Sequence, residues 1–199
     1  GGGTKIKTIM LDAGHGGKDP GNRNGSQQEK KYTLLLAQEV REQLKRAGLT
    51  ALLTRTTDAY VDLPVRTDLA RRRGADLFVS LHFNGVGSSR NEVKGAEVYC
   101  LTPVGASSTN ARGEGAGAQS ARGNRFDNQN MLLAYQMQES LLKHLAAEDR
   151  GVRRARFEVL REAAMPAVLI EGGFLSHPAE GRRIIAPAYR RQMAQAIVE

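Results

Sequence analysis

An α/β domain, with a mostly parallel, twisted central sheet flanked by helices on both faces, is the fold class this chain predicts. Three observations lead there. Short apolar runs at Ile6–Leu11, Leu49–Thr54 and Asp76–Leu81 have the length of buried strands. Helical patterns at Glu29–Ala47 and Leu63–Arg73 alternate with them, and a β-α-β-α-β order implies parallel strands joined by crossover helices. No linker or internal repeat divides the 199 residues, which are enough for one domain with a real core.

Gly1–Thr4 reads as a linker or scar and residues 5–199 as the domain. After the first strand, Asp12–Gln28 is a polar loop rich in Gly, Asn and Asp. The first helix carries Leu34, Ala37, Val40, Leu44 and Ala47 on one face, and Gly48 ends it as a C′ glycine. The second helix has Pro64 in its first turn and stops at Gly74. Lys94–Leu101 is a fourth strand. Pro103–Asn128, where Gly, Ala, Ser, Asn and Arg replace apolar periodicity, reads as a flexible insertion. Gln129–Leu145 follows as a helix with Leu132, Leu133, Gln136 and Leu141 near one side. Arg156–Leu160 reads as a short strand, Ala167–Ile170 as a buried strand, and Pro178–Ile185 and Ala188–Val198 as closing helices.

Composition excludes several classes. Hydrophobic content is 40% and no apolar run reaches the eighteen or so residues of a membrane span. No signal peptide precedes the domain, but a segment cut away would leave the same start. The single cysteine, Cys100, permits no internal disulfide and no Cys-based zinc site. The net charge of +8 is compatible with anionic partners (nucleic acid, acidic lipid or an anionic polymer such as a cell wall), but the basic residues are scattered and read first as solvated surface charge. With no Trp and 5% aromatics, single-stranded nucleic acid finds few stacking platforms. GHGGKD does not meet the phosphate-loop spacing, and no GxGxxG or GxSxG motif is present.

Three strands end alike. The first leads to His15, the third to His82, and AVLI to Glu171. In a parallel sheet these ends share one edge, where ligands bind in open α/β folds. Glu29 opens the helix that leaves the first strand, so it faces the same edge. His15 alone could equally be a turn histidine. Together, His15, Glu29 and His82 make a zinc-ligand set, since hydrolytic zinc takes three protein ligands and keeps a position for water. Glu171 is then the general base and acid, because a carboxylate ending a buried strand is costly unless something pairs with it. His144 reads as a helix-end residue and His177 as a cap or loop residue.

The chain resembles the zinc-dependent N-acetylmuramoyl-L-alanine amidases of the amidase-3 family at LDAGHGGKDPG (Leu11–Gly21), Glu29-Lys30 and LLTRTTDAYVDLPVRTDLA (Leu52–Ala70). The likeness continues at ADLFVSLHFN (Ala75–Asn84), KGAEVYCL (Lys94–Leu101) and VLREAAMPAVLIEGGFLSHP (Val159–Pro178). The resemblance implies a single α/β domain in which His15, Glu29 and His82 hold one zinc ion and Glu171 is the catalytic acid/base. It implies hydrolysis of the amide between N-acetylmuramic acid and L-alanine of the peptidoglycan stem peptide, by attack of zinc-activated water. Asn84 and Arg66 are candidate substrate contacts. Arg71 and His177 stand where the family often has Asn, which bears on local contacts rather than on the ligands.

These features lead to an amidase acting on peptidoglycan in the periplasm or cell wall, as a monomer with room for a protein activator. The insertion lacks an apolar helical face, so a self-blocking helix is not expected. A zinc peptidase cutting inside the stem peptide and a non-catalytic wall-binding module are the alternatives. Retention of all four residues argues against the second.

Overall fold

The computed structural model describes residues 5–88, 90–109 and 119–198. The main sheet is built from β1 (Thr8–Ala13), β4 (Thr50–Leu53), β5 (Leu77–Asn84), β6 (Ala96–Leu101), β7 (Asp149–Ala155) and β8 (Ala167–Phe174). Its order is β4-β1-β5-β8-β6-β7. The β4/β1, β1/β5, β5/β8 and β6/β7 pairs are parallel, and β6 runs antiparallel to β8. The reversal has a local cause: the segment between Asn84 and Ala96 is shorter than a parallel crossover needs and holds no helix among its described residues.

Side chains alternate across this sheet and so make two cores. Leu11, Ala13, Val79, Leu81, Val98 and Ile170 pack on one face beneath α1 (Glu29–Arg46), α3 (Asp127–His144) and α6 (Pro187–Val198). Met10, Phe78, Tyr99 and Leu169 pack on the other, beneath α2 (Leu63–Arg72) and the short α4 (Glu158–Arg161). The second layer covers less of the sheet, and beyond it the C-terminal ends of β1, β5 and β8 form the floor of a cleft. Both expected stop glycines take positive φ, Gly48 at 83° and Gly74 at 67°.

Several segments differ from the sequence expectation. Arg156–Leu160, expected as a short strand, is not one: the strand here is β7, which ends at Ala155, and Glu158–Arg161 is a helical turn. β7 is an edge strand, and its sequence DRGVRRA supplies no apolar run to mark it. The polar loop after β1 contains a small ribbon of β2 (Arg23–Asn24) and β3 (Gln27–Gln28). In α3 the buried positions are Asn130, Ala134, Met137, Gln138 and Leu141, while Leu132 is 60% exposed. The core of the expected insertion, residues 110–118, lies outside the described residues. Its described flanks are tied down: the backbone N–H of Thr109 donates to Arg154 O at 2.8 Å, and Arg122–Phe126 forms a 3-10 turn leading into α3. The helix before the last, α5 (Pro178–Ile185), is capped by His177, whose Nδ1 accepts the N–H groups of Ala179 and Glu180.

The buried charges bind the layers together. Asp12 on β1 and Arg66 on α2 are 1% and 2% exposed and meet at 2.8 Å. Replacing one partner leaves the other charge buried and unpaired. Arg66→Met is expected to lower unfolding stability by about 3–5 kcal/mol, read from urea denaturation.

Candidate metal centre

The turn after β1 is unusual in its backbone. His15 has φ 65°, the one positive φ at a non-glycine among the described residues. Gly16 follows at φ 130°, where an added Cβ would meet Ala59 O at 2.1 Å. The turn is held by paired backbone bonds between Gly16 and Asp19 and by two buried arginines. Arg55 donates to Ala13 O and Gly14 O, and Arg66 donates to Ala13 O and His15 O. Arg55 also reaches Lys30 O and Thr33 Oγ1 on α1, so the end of β1 is fastened to the start of that helix.

This fastening brings Glu29, the first residue of α1, under His15. Glu29 is 1% exposed, and its carboxylate accepts from Asn22 N, Asn22 Nδ2 and Phe83 N. His82 arrives from β5, its ring lying over Gly14. A Cβ on Gly14 would stand 2.3 Å from the ring, which explains the glycine there. His15 Nε2 lies 3.0 Å and His82 Nδ1 3.2 Å from Glu29 Oε2, and the two nitrogens are 3.3 Å apart. These residues form a group whose ligand atoms all lie within 4.8 Å of one another. Two imidazoles and a carboxylate converging in this way are a metal-binding donor set.

Electrostatics distinguish the carboxylates. Burial by itself would raise the Glu29 pKa, but hydrogen bonds and charge from His15 and His82 outweigh it and hold the group at about 2. Burial alone would lower His15, yet Glu29 and Asp19 raise it above the usual imidazole value. Glu171 on β8 pairs with His82 in the β5 ladder and with Glu97 in the β6 ladder. Its Oε2 is buried with no hydrogen-bond partner among the described residues. Burial, then the charges of Glu29 and Glu97, push Glu171 well above the usual carboxylate range.

The cleft above these groups encloses about 440 Å³. His15, Glu29, His82 and Glu171 line its polar side, and Tyr60, Val61, Leu63, Phe157 and Leu169 its apolar side. Asn84 sits at the end of β5 and donates to Glu97 Oε1 at 2.8 Å. Arg66 lines the cleft, but its guanidinium is directed into the protein, onto Val61 O, Asp12, Ala13 O and His15 O. His144 and His177 are not among the lining residues; His144 Nδ1 lies 2.9 Å from Ser140 O at the end of α3.

Sequence reasoning passed over Glu97, Asp19 and Arg55. Glu97 was findable: like Glu171, it interrupts a buried strand, AEVYCL, and its carboxylate is neutralised by Arg150 and Arg153. Asp19 bonds His15 Nδ1 at 2.8 Å, a pairing four residues apart that only the reversed turn permits. No helix is long and apolar enough to cross a membrane among the described residues.

Comparison with known proteins agrees with this geometry. The chain is 36% identical over 213 residues to the N-acetylmuramoyl-L-alanine amidase AmiC of Neisseria meningitidis, covering 95% of this chain and half of that protein. It superposes on the crystal structure of an N-acetylmuramoyl-L-alanine amidase from Clostridium difficile 630 with a TM-score of 0.81 and 32% identity, covering 97% of this chain and 93% of that one. The CwlD amidase of Clostridioides difficile, solved in complex with the GerS lipoprotein, is similar at a TM-score of 0.78 and 27% identity, covering 96% and 94%. The family model for N-acetylmuramoyl-L-alanine amidase matches residues 9–199, and the chain belongs to that family, amidase-3.

Proposed function

We propose that this domain is a zinc-dependent N-acetylmuramoyl-L-alanine amidase that hydrolyses the bond between N-acetylmuramic acid and L-alanine of peptidoglycan. The observation that carries the reading is the convergence of His15, Glu29 and His82 beside Glu171, whose buried Oε2 has no hydrogen-bond partner among the described residues, within a chain matched by the amidase family along residues 9–199. Two nitrogens and one oxygen suit zinc, which keeps a further position open for water in hydrolases. The ion, when bound, supplies a Lewis acid that lowers the pKa of water and polarises the scissile carbonyl.

The chain's own residues supply the rest. Glu29 stays ionised through its hydrogen bonds, so it remains a ligand over the working pH range. Glu171 is the base that takes the proton from water and the acid that returns it to the departing L-Ala nitrogen. Two opposed influences poise it: burial with Glu29 and Glu97 raises its proton affinity, and a divalent cation in the triad lowers it. Tyr60, Val61, Leu63 and Phe157 give one side of the cleft an apolar surface on which apolar parts of a substrate can pack. Asn84 bonds Glu97 and is not among the residues lining the cleft, and Arg66 is a positioning group. A peptidoglycan substrate implies work outside the cytoplasm, in the periplasm or cell wall. The relative solved in complex with a lipoprotein supports a protein partner for this domain.

The test is mass spectrometry of what the protein releases from purified peptidoglycan. Stem peptides beginning in L-Ala are expected, lost with a zinc chelator and restored by zinc. Fragments cut inside the stem peptide would make the domain a peptidase instead. Glu171→Gln is expected to cut turnover by about 10²–10⁴-fold with zinc retained, whereas His15→Ala should lose both. Metal content and turnover measured on the same preparations separate the two roles.

Zinc affinity should also depend on pH in a defined direction. Ligation needs neutral His15, whose pKa is raised in the metal-free fold. Apparent affinity is therefore expected to be highest above that raised value and to fall as pH drops through it, starting above about 6.5. Chelator competition across a pH series reads this directly.

A further inference from the structure

We propose, resting on the metal-site reading above, that Ser80 and Asp12 form a relay behind His82 that fixes which of its ring nitrogens faces the metal. His82 Nε2 lies 2.9 Å from Ser80 Oγ, and Ser80 Oγ donates to Asp12 Oδ2 at 2.7 Å. Asp12 Oδ1 in turn accepts from Arg66 Nη1 and Thr54 Oγ1, both at 2.8 Å. Ser80, Asp12, Arg66 and Thr54 are all buried.

The protons in this chain can be assigned. A carboxylate against a buried guanidinium is ionised and only accepts. Ser80 has one hydroxyl proton, and Asp12 takes it. Ser80 Oγ therefore faces His82 with lone pairs, so Nε2 must carry the ring's N–H. A neutral imidazole has one N–H, which leaves the lone pair on Nδ1. Nδ1 is the atom beside Glu29 Oε2 and His15 Nε2.

His15 is set the opposite way. Its Nδ1 bonds Asp19 Oδ2, which leaves Nε2 for the metal. The two imidazoles thus present different nitrogens, each dictated by a carboxylate. The serine is needed for His82 because Asp12 pairs with Ser80 across the β1/β5 ladder. His82 lies two residues further along the strand, about 6.6 Å away, beyond direct reach of a carboxylate at Asp12. Arg66 braces both ligands, since it holds Asp12 and also donates to His15 O. Ser80 and Asp12 are positioning residues that touch neither metal nor substrate in this scheme, and outer partners of this kind govern metal affinity.

Two-bond ¹H–¹⁵N correlation spectra of the metal-free protein, labelled at histidine and held above the imidazole titration range, report the tautomer. Wild-type His82 should carry its proton on Nε2. Ser80→Ala should give mixed tautomers and weaken zinc binding by about 10–100-fold in chelator competition, with circular dichroism unchanged. Ser80→Thr, which keeps the hydroxyl, should restore both. A His82 proton on Nδ1 in the wild type overturns the relay even if no variant folds, as does a Ser80→Ala protein with wild-type tautomer and affinity. If His15→Ala leaves wild-type zinc binding intact, the metal-site reading fails, and the tautomer spectra still judge the relay.

Discussion

Three consecutive backbone carbonyls, at Ala13, Gly14 and His15, leave the sheet together where β1 ends, and their capture by Arg55 and Arg66 is the constraint on which the site depends. A turn with positive φ at a histidine followed by glycines cannot satisfy these acceptors within its own backbone. Buried carbonyls without donors would cost more than the turn could bear. The two guanidiniums meet that need from β4's end and from α2. Arginine suits the task because its donors form a rigid fork that serves several acceptors at once. The bonds of Arg55 to Lys30 O and Thr33 Oγ1 then make the position of Glu29 relative to His15 a property of the backbone rather than of flexible side chains.

Four acidic groups are each treated differently: Asp12, Glu29 and Glu171, which line the cleft, and Glu97, which pairs with Glu171 in the β6 ladder. Asp12 is neutralised by Arg66, and burial, which would raise its pKa, is outweighed so that it stays below the usual range. Glu97 accepts from Asn84, Tyr99, Arg150 and Arg153. Glu29 is held by two imidazoles and three N–H groups. Of the four, Glu171 is the one with a buried oxygen that has no partner among the described residues. A group left costly in an otherwise satisfied region is where a proton can be exchanged, because its two protonation states lie closer in free energy than those of its neighbours.

The same sheet explains how rigid core and open chemistry coexist. One face is covered by α1, α3 and α6 and buries side chains along the strands. On the other face α2 and α4 cover only the N-terminal part, so alternate residues pass from core to cleft within one strand. Phe78 is core, Ser80 is buried behind the site, and His82 is in it. The period of two along β5 thus sets the spacing between support, orienting group and ligand.

Much of this was written in the sequence itself. Apolar runs ending in His82 and Glu171, a helix opening at Glu29 and stop glycines at 48 and 74 are local patterns, and strand and helix periods make them legible. Parallel topology then carried His15, Glu29, His82 and Glu171 to one edge without coordinates. Edge strand β7 was not legible, because a strand paired on one side needs no apolar run. The partners of the buried charges were not legible either. Arg55 and Thr33, Arg66 and Asp12, and Glu97 with Arg150 and Arg153 lie 22, 54, 53 and 56 residues apart, the separations following from their numbers. Pairing of that kind is decided by how the layers stack, and a chain's local preferences contain no term for it. The sequence determined which groups reach the edge, and the packed structure decided which are held ionised, which way each imidazole turns and which carboxylate is left alone.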